Sequence, residues 1–313
     1  MQIEREPFSF GSANGEDTVK GVCYIPNGVE PVGVVQFSHG MVEHIGRYEE
    51  VMTALAQQGF AVYGHDHLGH GSTASNPERL GYFAPQDGAR CLIADLYHIT
   101  EMAKERFPGL PVTLVGHSMG SLVARLYCLD HGGELARAVF VGTPAKNRMA
   151  GAGLAVAKGI SRWKSPQARS PFLDRLTMGM MNRSVRSPRT AKDWLSRDEA
   201  RVDQNIADPF CNFVFTASAF AELYDMTRKA NSAAWFESFP KQLPVYLLTG
   251  EADPVGGSGK GVQHICDRLR RAGVQVWIKR YPGARHELFH ETNRQEVIGD
   301  LLAILSGGME REV

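Results

Sequence analysis

The chain has 313 residues, 43% apolar and 22% charged, enough to bury the core of one large domain and too apolar for a disordered one. Lys plus Arg and Asp plus Glu both number 34, so there is no net charge and no whole-molecule electrostatic case for nucleic acid. Cys23, Cys91, Cys128, Cys211 and Cys266 are scattered, form no Cys-x-x-Cys pair and read as free thiols of a reducing compartment. Neither a signal peptide nor an apolar run of about 20 residues is present, so a soluble, cytoplasmic protein is expected.

In chain order, residues 6–25 alternate around Gly11-Ser12-Ala13-Asn14-Gly15, the pattern of an antiparallel hairpin at a sheet edge. Residues 32–37 read as a buried strand, 48–58 as a helix closed by Gly59, and 60–63 as the next strand. A loop over 64–85 leads to a helix over 87–107, stopped by Pro108-Gly109. Strands follow at 110–115 and 136–141. Strands alternating with helices of this length imply parallel pairing and an α/β sandwich.

From Lys146 to about Pro240 the alternation stops. It resumes with a strand over 243–249, a helix over 258–272, a strand over 274–281 and a helix over 293–305. Residues 1–145 and 241–313 therefore read as one sheet-bearing core, and 146–240 as an inserted lid over the carboxyl ends of the strands. A second independent domain is the competing reading.

The five residues Gly116-His117-Ser118-Met119-Gly120 join a predicted strand to a helix-prone run, as a nucleophile elbow requires. Glycine on either side of the turn leaves room for a strained serine whose hydroxyl projects toward substrate. A serine hydroxyl needs an imidazole to take its proton and an acid to orient that imidazole. Asp253 follows one later strand and His286 follows the last, in the order serine, acid, histidine. Competing assignments are His290, which would sit inside the next helix, and Glu251, which lies closer to its strand. The backbone amides of Met119 and Met41 are the expected oxyanion donors, and Gly40 lets the loop backbone approach the substrate. His65-Asp66-His67-Leu68-Gly69-His70 resembles a metal cluster, but Gly69 and Gly71 suit a compact loop of mutually bonded side chains. No cofactor or metal is required.

The segments Phe37 to Tyr48, His65 to Ser72, Gly116 to Gly120, Gly250 to Val255 and Gly283 to Glu287 together resemble the monoacylglycerol lipase/lysophospholipase family of α/β-hydrolases. The resemblance implies the α/β-hydrolase fold, with Ser118 as nucleophile, Asp253 as acid, His286 as base, and Met41 and Met119 as oxyanion donors. It further implies that Glu43, Arg47 and Tyr48 brace the oxyanion loop. His117, inside the elbow, is expected to pack on neighbouring loops. Asp208-Pro209-Phe210-Cys211 resembles a lid segment of bacterial members.

The inserted segment carries Phe172, Leu173, Leu176, Met178, Met180, Met181, Phe210, Phe213, Phe215 and Phe220, shared between core packing and a channel for an acyl chain. From Lys146 to Lys192 eleven basic residues face one acid, Asp174, for a net charge of +10, interleaved with Leu154, Val156, Ile160 and Trp163. Contact with an anionic membrane surface or an amphiphile phosphate is one expectation and a solvated basic face the other. The expected activity is hydrolysis of a small amphiphilic ester, monoacylglycerol or lysophospholipid, through an acyl-serine. A carboxylesterase for short acyl esters and a silent ligand-binding protein are the alternatives.

Overall fold

Short runs of buried apolar residues bounded by glycine or a polar turn form most of the strands: β3 (Gly33–Ser38), β4 (Phe60–His65), β5 (Val112–His117), β6 (Arg137–Val141) and β7 (Val245–Gly250). Such strands, lacking polar alternation, must be covered on both faces. β1 (Ile3–Gly11) and β2 (Thr18–Pro26) form the expected hairpin, and β1 alternates in exposure as an edge does. With β8 (Val276–Tyr281) they make one eight-stranded sheet in the order β1-β2-β4-β3-β5-β6-β7-β8. From β4 to β8 every pairing is parallel. The computed structural model describes residues 2–307.

Helices α1 (Glu49–Gln57) and α10 (Arg294–Leu305) cover one face with Val51, Met52, Leu55, Val297 and Leu301. On the other face lie α2 (Gly88–Arg106), α3 (Met119–His131) and α9 (Lys260–Arg271), which bury Leu92, Leu96, Leu122, Ile265 and Leu269.

Between β6 and β7 the chain forms α4 (Ala150–Trp163), α5 (Pro171–Thr177), α6 (Glu199–Ala207), α7 (Ala217–Ala230) and α8 (Ala233–Ser238). Local chemistry starts four of them. Ser170, Asp198, Thr216 and Ser232 each accept a backbone N–H of the first turn, and Pro171 pre-sets the first residue of α5. Phe220, Leu223 and Tyr224 of α7 share one core with α2 and α3, so this segment is built onto the sheet.

Candidate active site

Ser118 stands between β5 and α3 at φ 50°, ψ −118°, a left-handed conformation that a residue with a side chain holds only under constraint. The turn is tight enough that a Cβ at Gly120 would collide with the Ser38 and His39 carbonyls, and one at Gly116 with Gly120 and Ser121. Glycine at both positions follows.

His286 lies in the loop after β8, with Nε2 2.8 Å from Ser118 Oγ and Nδ1 3.0 Å from Asp253 Oδ1. A carboxylate can only accept, so Nδ1 carries the proton and Nε2 is left to accept from the serine hydroxyl. Asp253 is wholly buried, and its Oδ1 also accepts the Val255 amide at 2.9 Å. The competing residues are engaged elsewhere. His290 Nε2 donates to the Arg47 carbonyl at 2.9 Å, and Glu251 is exposed.

The Met119 amide opens α3, and among the described residues neither it nor the Met41 amide has a protein acceptor. The Gly40 amide is occupied, donating to Glu43 Oε1 at 2.5 Å. A side chain at Gly40 would meet Glu43, His117 and Ser118, so the loop passes directly against the serine.

Glu43 is a buried hub. Its Oε1 also accepts from Tyr48 Oη at 2.8 Å and His117 Nδ1 at 2.9 Å, and its Oε2 accepts from Arg47 at 2.9 Å. Burial raises its pKa, but His117 and Arg47 outweigh that and hold the carboxyl well below the ordinary range. Burial likewise opposes a charged His117, yet Glu43 keeps its pKa raised. Arg47 then reaches Glu287 through two parallel bonds of 2.7 Å, so the loop after β3 and the loop bearing His286 share one guanidinium.

Glu287 is a residue that pattern reading passes over, although it adjoins His286 and matches the charge of Arg47. Trp194 is another. Its ring centroid is 5.1 Å from that of His286, and its carbonyl and that of Leu195 accept the His286 and Glu287 amides. No sequence periodicity signals these contacts, which come from the segment between the two halves of the sheet.

The polar groups of the histidine-rich loop bond the segment from Ser38 to Ile45. Asp66 Oδ1 accepts the Ile45 amide at 2.8 Å, the His67 amide donates to His39 Nε2 at 3.0 Å, and Ser38 Oγ lies 2.8 Å from His67 Nε2. Elsewhere, possible ligand atoms of His44, Asp208 and Cys211 lie within 4.8 Å of one another, a set of three whose first pair is already joined at 2.8 Å.

A cavity of about 750 Å³ opens onto Ser118 and His286. Met41, Val42, Met119, Met178, Met181, Phe213 and Leu223 give it apolar walls, and its charged lining comprises Lys146, Arg148, Asp174, Arg175 and Lys192 together with Glu43 and Glu287. Phe215, Phe220 and Leu173 are instead buried in the core, while Phe172, Leu176 and Met180 face outward. The apolar side chains of the inserted segment thus divide among core, cavity and surface.

Residues 29–293 match the family of serine aminopeptidases, S33. The chain is 28% identical to the monoglyceride lipase of Homo sapiens over 84% of this chain and 82% of that one. It is also 28% identical to the monoacylglycerol lipase of Mycolicibacterium smegmatis, over 95% of each. Among solved structures, a highly thermostable carboxyl esterase from Bacillus coagulans superposes with a TM-score of 0.92 at 32% identity, covering 97% of this chain and 98% of that one. With its mostly parallel sheet and a strained serine at the end of β5, the chain belongs to the serine aminopeptidase S33 family, on the α/β-hydrolase fold.

Proposed function

We propose that the protein hydrolyses carboxylic esters of lipid-like substrates, monoacylglycerols or lysophospholipids, through an acyl-Ser118 intermediate. The observation that carries this reading is the chain Ser118 Oγ to His286 Nε2 to Asp253 at 2.8 and 3.0 Å, opening into a cavity with apolar walls. His286 takes the serine proton as Oγ attacks the ester carbonyl, and Asp253 steadies the imidazolium that forms. The Met41 and Met119 amides receive the oxyanion, each such donor lowering the barrier by about 3 kcal/mol. His286 then protonates the departing alcohol and activates the water that releases the fatty acid.

Cleavage of an amino-terminal peptide bond would call for free carboxylates to hold an ammonium group. Of the three acids lining the cavity, Glu43 and Glu287 are already paired with Arg47, and Asp174 is left as a single carboxylate among Lys146, Arg148, Arg175 and Lys192, surroundings that do not suit an ammonium group and favour the ester. Residues 146–240 act as the lid, with the acyl chain between them and the sheet. Trp163 and Phe172, 86% and 62% exposed, lie beside basic residues on its outer surface and support transient contact with an anionic membrane.

The test is a series of p-nitrophenyl esters from acetyl to palmitoyl, beside monodecanoylglycerol and lysophosphatidylcholine. Medium or long acyl chains are expected to be preferred, and Ser118→Ala to lower kcat by about 10⁴-fold or more. Preference for acetyl would remove the acyl channel. Unchanged turnover by Ser118→Ala would remove the mechanism.

A further inference from the structure

Three consecutive amides run through the oxyanion loop, and the outer two are occupied. Gly40 N–H donates to Glu43 Oε1 at 2.5 Å, and Val42 N–H donates to His70 Nε2 at 3.2 Å. Between them the Met41 N–H has no protein acceptor among the described residues. The orientation of the free amide is therefore set by its two neighbours.

Val42 adopts φ 55°. A β-branched residue in the left-handed region is a backbone outlier, and it persists only where surrounding contacts impose it. The His70 bond is the polar contact on that peptide. His70 is built to accept: its Nδ1 lies 2.9 Å from the Leu68 carbonyl, which can only accept, so Nδ1 carries the hydrogen and Nε2 presents its lone pair to Val42. The ring is fully buried among His39, Phe83, Phe213 and Phe215, with centroids 5.1, 6.0, 5.4 and 5.3 Å away. Those aromatic neighbours leave the imidazole little freedom to turn.

We propose that His70 is a positioning residue of the oxyanion hole: by accepting the Val42 amide it holds the strained turn that leaves the Met41 N–H facing the reacting carbonyl. This rests on the assignment of Met41 as an oxyanion donor in ester hydrolysis. It gives the histidine-rich loop a share in the reaction although none of its side chains touches the reacting atoms. A bond that fixes an oxyanion donor acts on the transition state, so its loss should appear in kcat and leave KM in place.

Two substitutions separate the bonds of His70. His70→Gln places an acceptor near the position of Nε2. His70→Asn keeps a donor near that of Nδ1 but cannot reach Val42. His70→Asn is expected to lower kcat by about tenfold to a hundredfold with KM within about twofold, while His70→Gln keeps most of the rate. Binding of an alkyl trifluoromethyl ketone, whose adduct with serine carries an oxyanion, should weaken in parallel. Binding of the matching alkyl ether, which forms none, should not change.

Circular dichroism and thermal melting establish that each variant is folded. If His70→Asn is not, His70→Met takes its place, filling the phenylalanine-lined site without a comparable acceptor. Wild-type kcat in the variant lacking the acceptor, or equal loss of ketone and ether affinity, overturns the proposal. A wild-type enzyme that cleaves no ester overturns the ester reading and this one together. Ester cleavage with no difference between the His70 variants overturns this one alone.

Discussion

Arg47 is where the chemistry of the site meets its stability. Its guanidinium is bonded to Glu43 and to both oxygens of Glu287, with side-chain exposures of 9%, 3% and 5% for the three residues. An ion set this dry is not a large net gain over apolar packing, but removing one member strands the others. Burial alone would raise the pKa of Glu287, and Arg47 reverses that. Arg47→Met is therefore expected to cost about 3–5 kcal/mol in urea unfolding, because two carboxylates would then face each other out of water. Adding Glu287→Gln to that variant should recover part of the loss. A loss below about 1 kcal/mol, the scale of an exposed pair, would mean that water reaches the three groups. The mechanism gives a second readout, since Glu43 also holds the Gly40 amide. Activity should fall further than the folded fraction does.

At the scale of elements, the sheet is legible in the sequence and the segment between β6 and β7 largely is not. β3, β5 and β7 are runs buried on both faces, so apolar content and bounding glycines were enough to find them within two residues. Their order followed from the alternation with helices, and with it the loops that carry Ser118, Asp253 and His286. Between β6 and β7 four helices begin at Ser170-Pro171, Asp198, Thr216 and Ser232, but α5 and α8 have only 7 and 6 residues, too short to establish a period. The contacts of Glu287, Trp194 and His70 are not legible, because each residue meets a partner distant in sequence, a pairing that one sequence does not display. In the same segment, α4 buries Leu154 and Ala157 and leaves Val156 and Trp163 outside, while α5 buries Leu173 and exposes Phe172 and Leu176. An outer surface with these side chains and a basic surround suits the headgroup region of an anionic bilayer. Trp163→Ser with Phe172→Ser is expected to weaken binding to phosphatidylglycerol vesicles by about a hundredfold or more, since burying each side chain contributes about 1.5 kcal/mol or more. Salt should weaken binding further. Salt-independent binding that survives charge reversal at Arg162 and Lys164 would eliminate this membrane contact.

Over the whole molecule, the unusual quantity is the number of histidines held neutral. Burial lowers the pKa of His39, His65, His67, His70 and His290, to about 3 for His65 and about 4 for His70 and His290. As pH falls below about 6.5 the unfolded chain binds protons on these residues and the folded chain does not, so the unfolded state gains. Each histidine in that window removes up to about 1.4 kcal/mol of stability per pH unit. His117 works in the opposite sense, because its raised pKa stabilises the folded chain at low pH and that contribution fades as pH rises. One group does not offset five. Below about pH 4.5 Glu43 and Glu287, with lowered pKa values, add to the loss, while His70 and His290 cease to contribute as the folded chain also binds their protons near pH 4. The urea midpoint is accordingly expected to drop sharply between pH 7 and pH 5 (about 6.5 being the unfolded histidine pKa), and a flat profile there would mean that water already reaches the cluster. His65 isolates the cause. Both its ring nitrogens are buried without a hydrogen-bond partner among the described residues, and its ring meets that of His67 at a centroid distance of 4.5 Å. His65→Leu thus sacrifices no hydrogen bond while removing one protonation from the unfolded state. The variant should match or exceed the wild type in stability at pH 5, and its stability should decline less steeply with acid, by up to about 1.4 kcal/mol per pH unit. A slope identical to that of the wild type would place the acid sensitivity in the other buried groups.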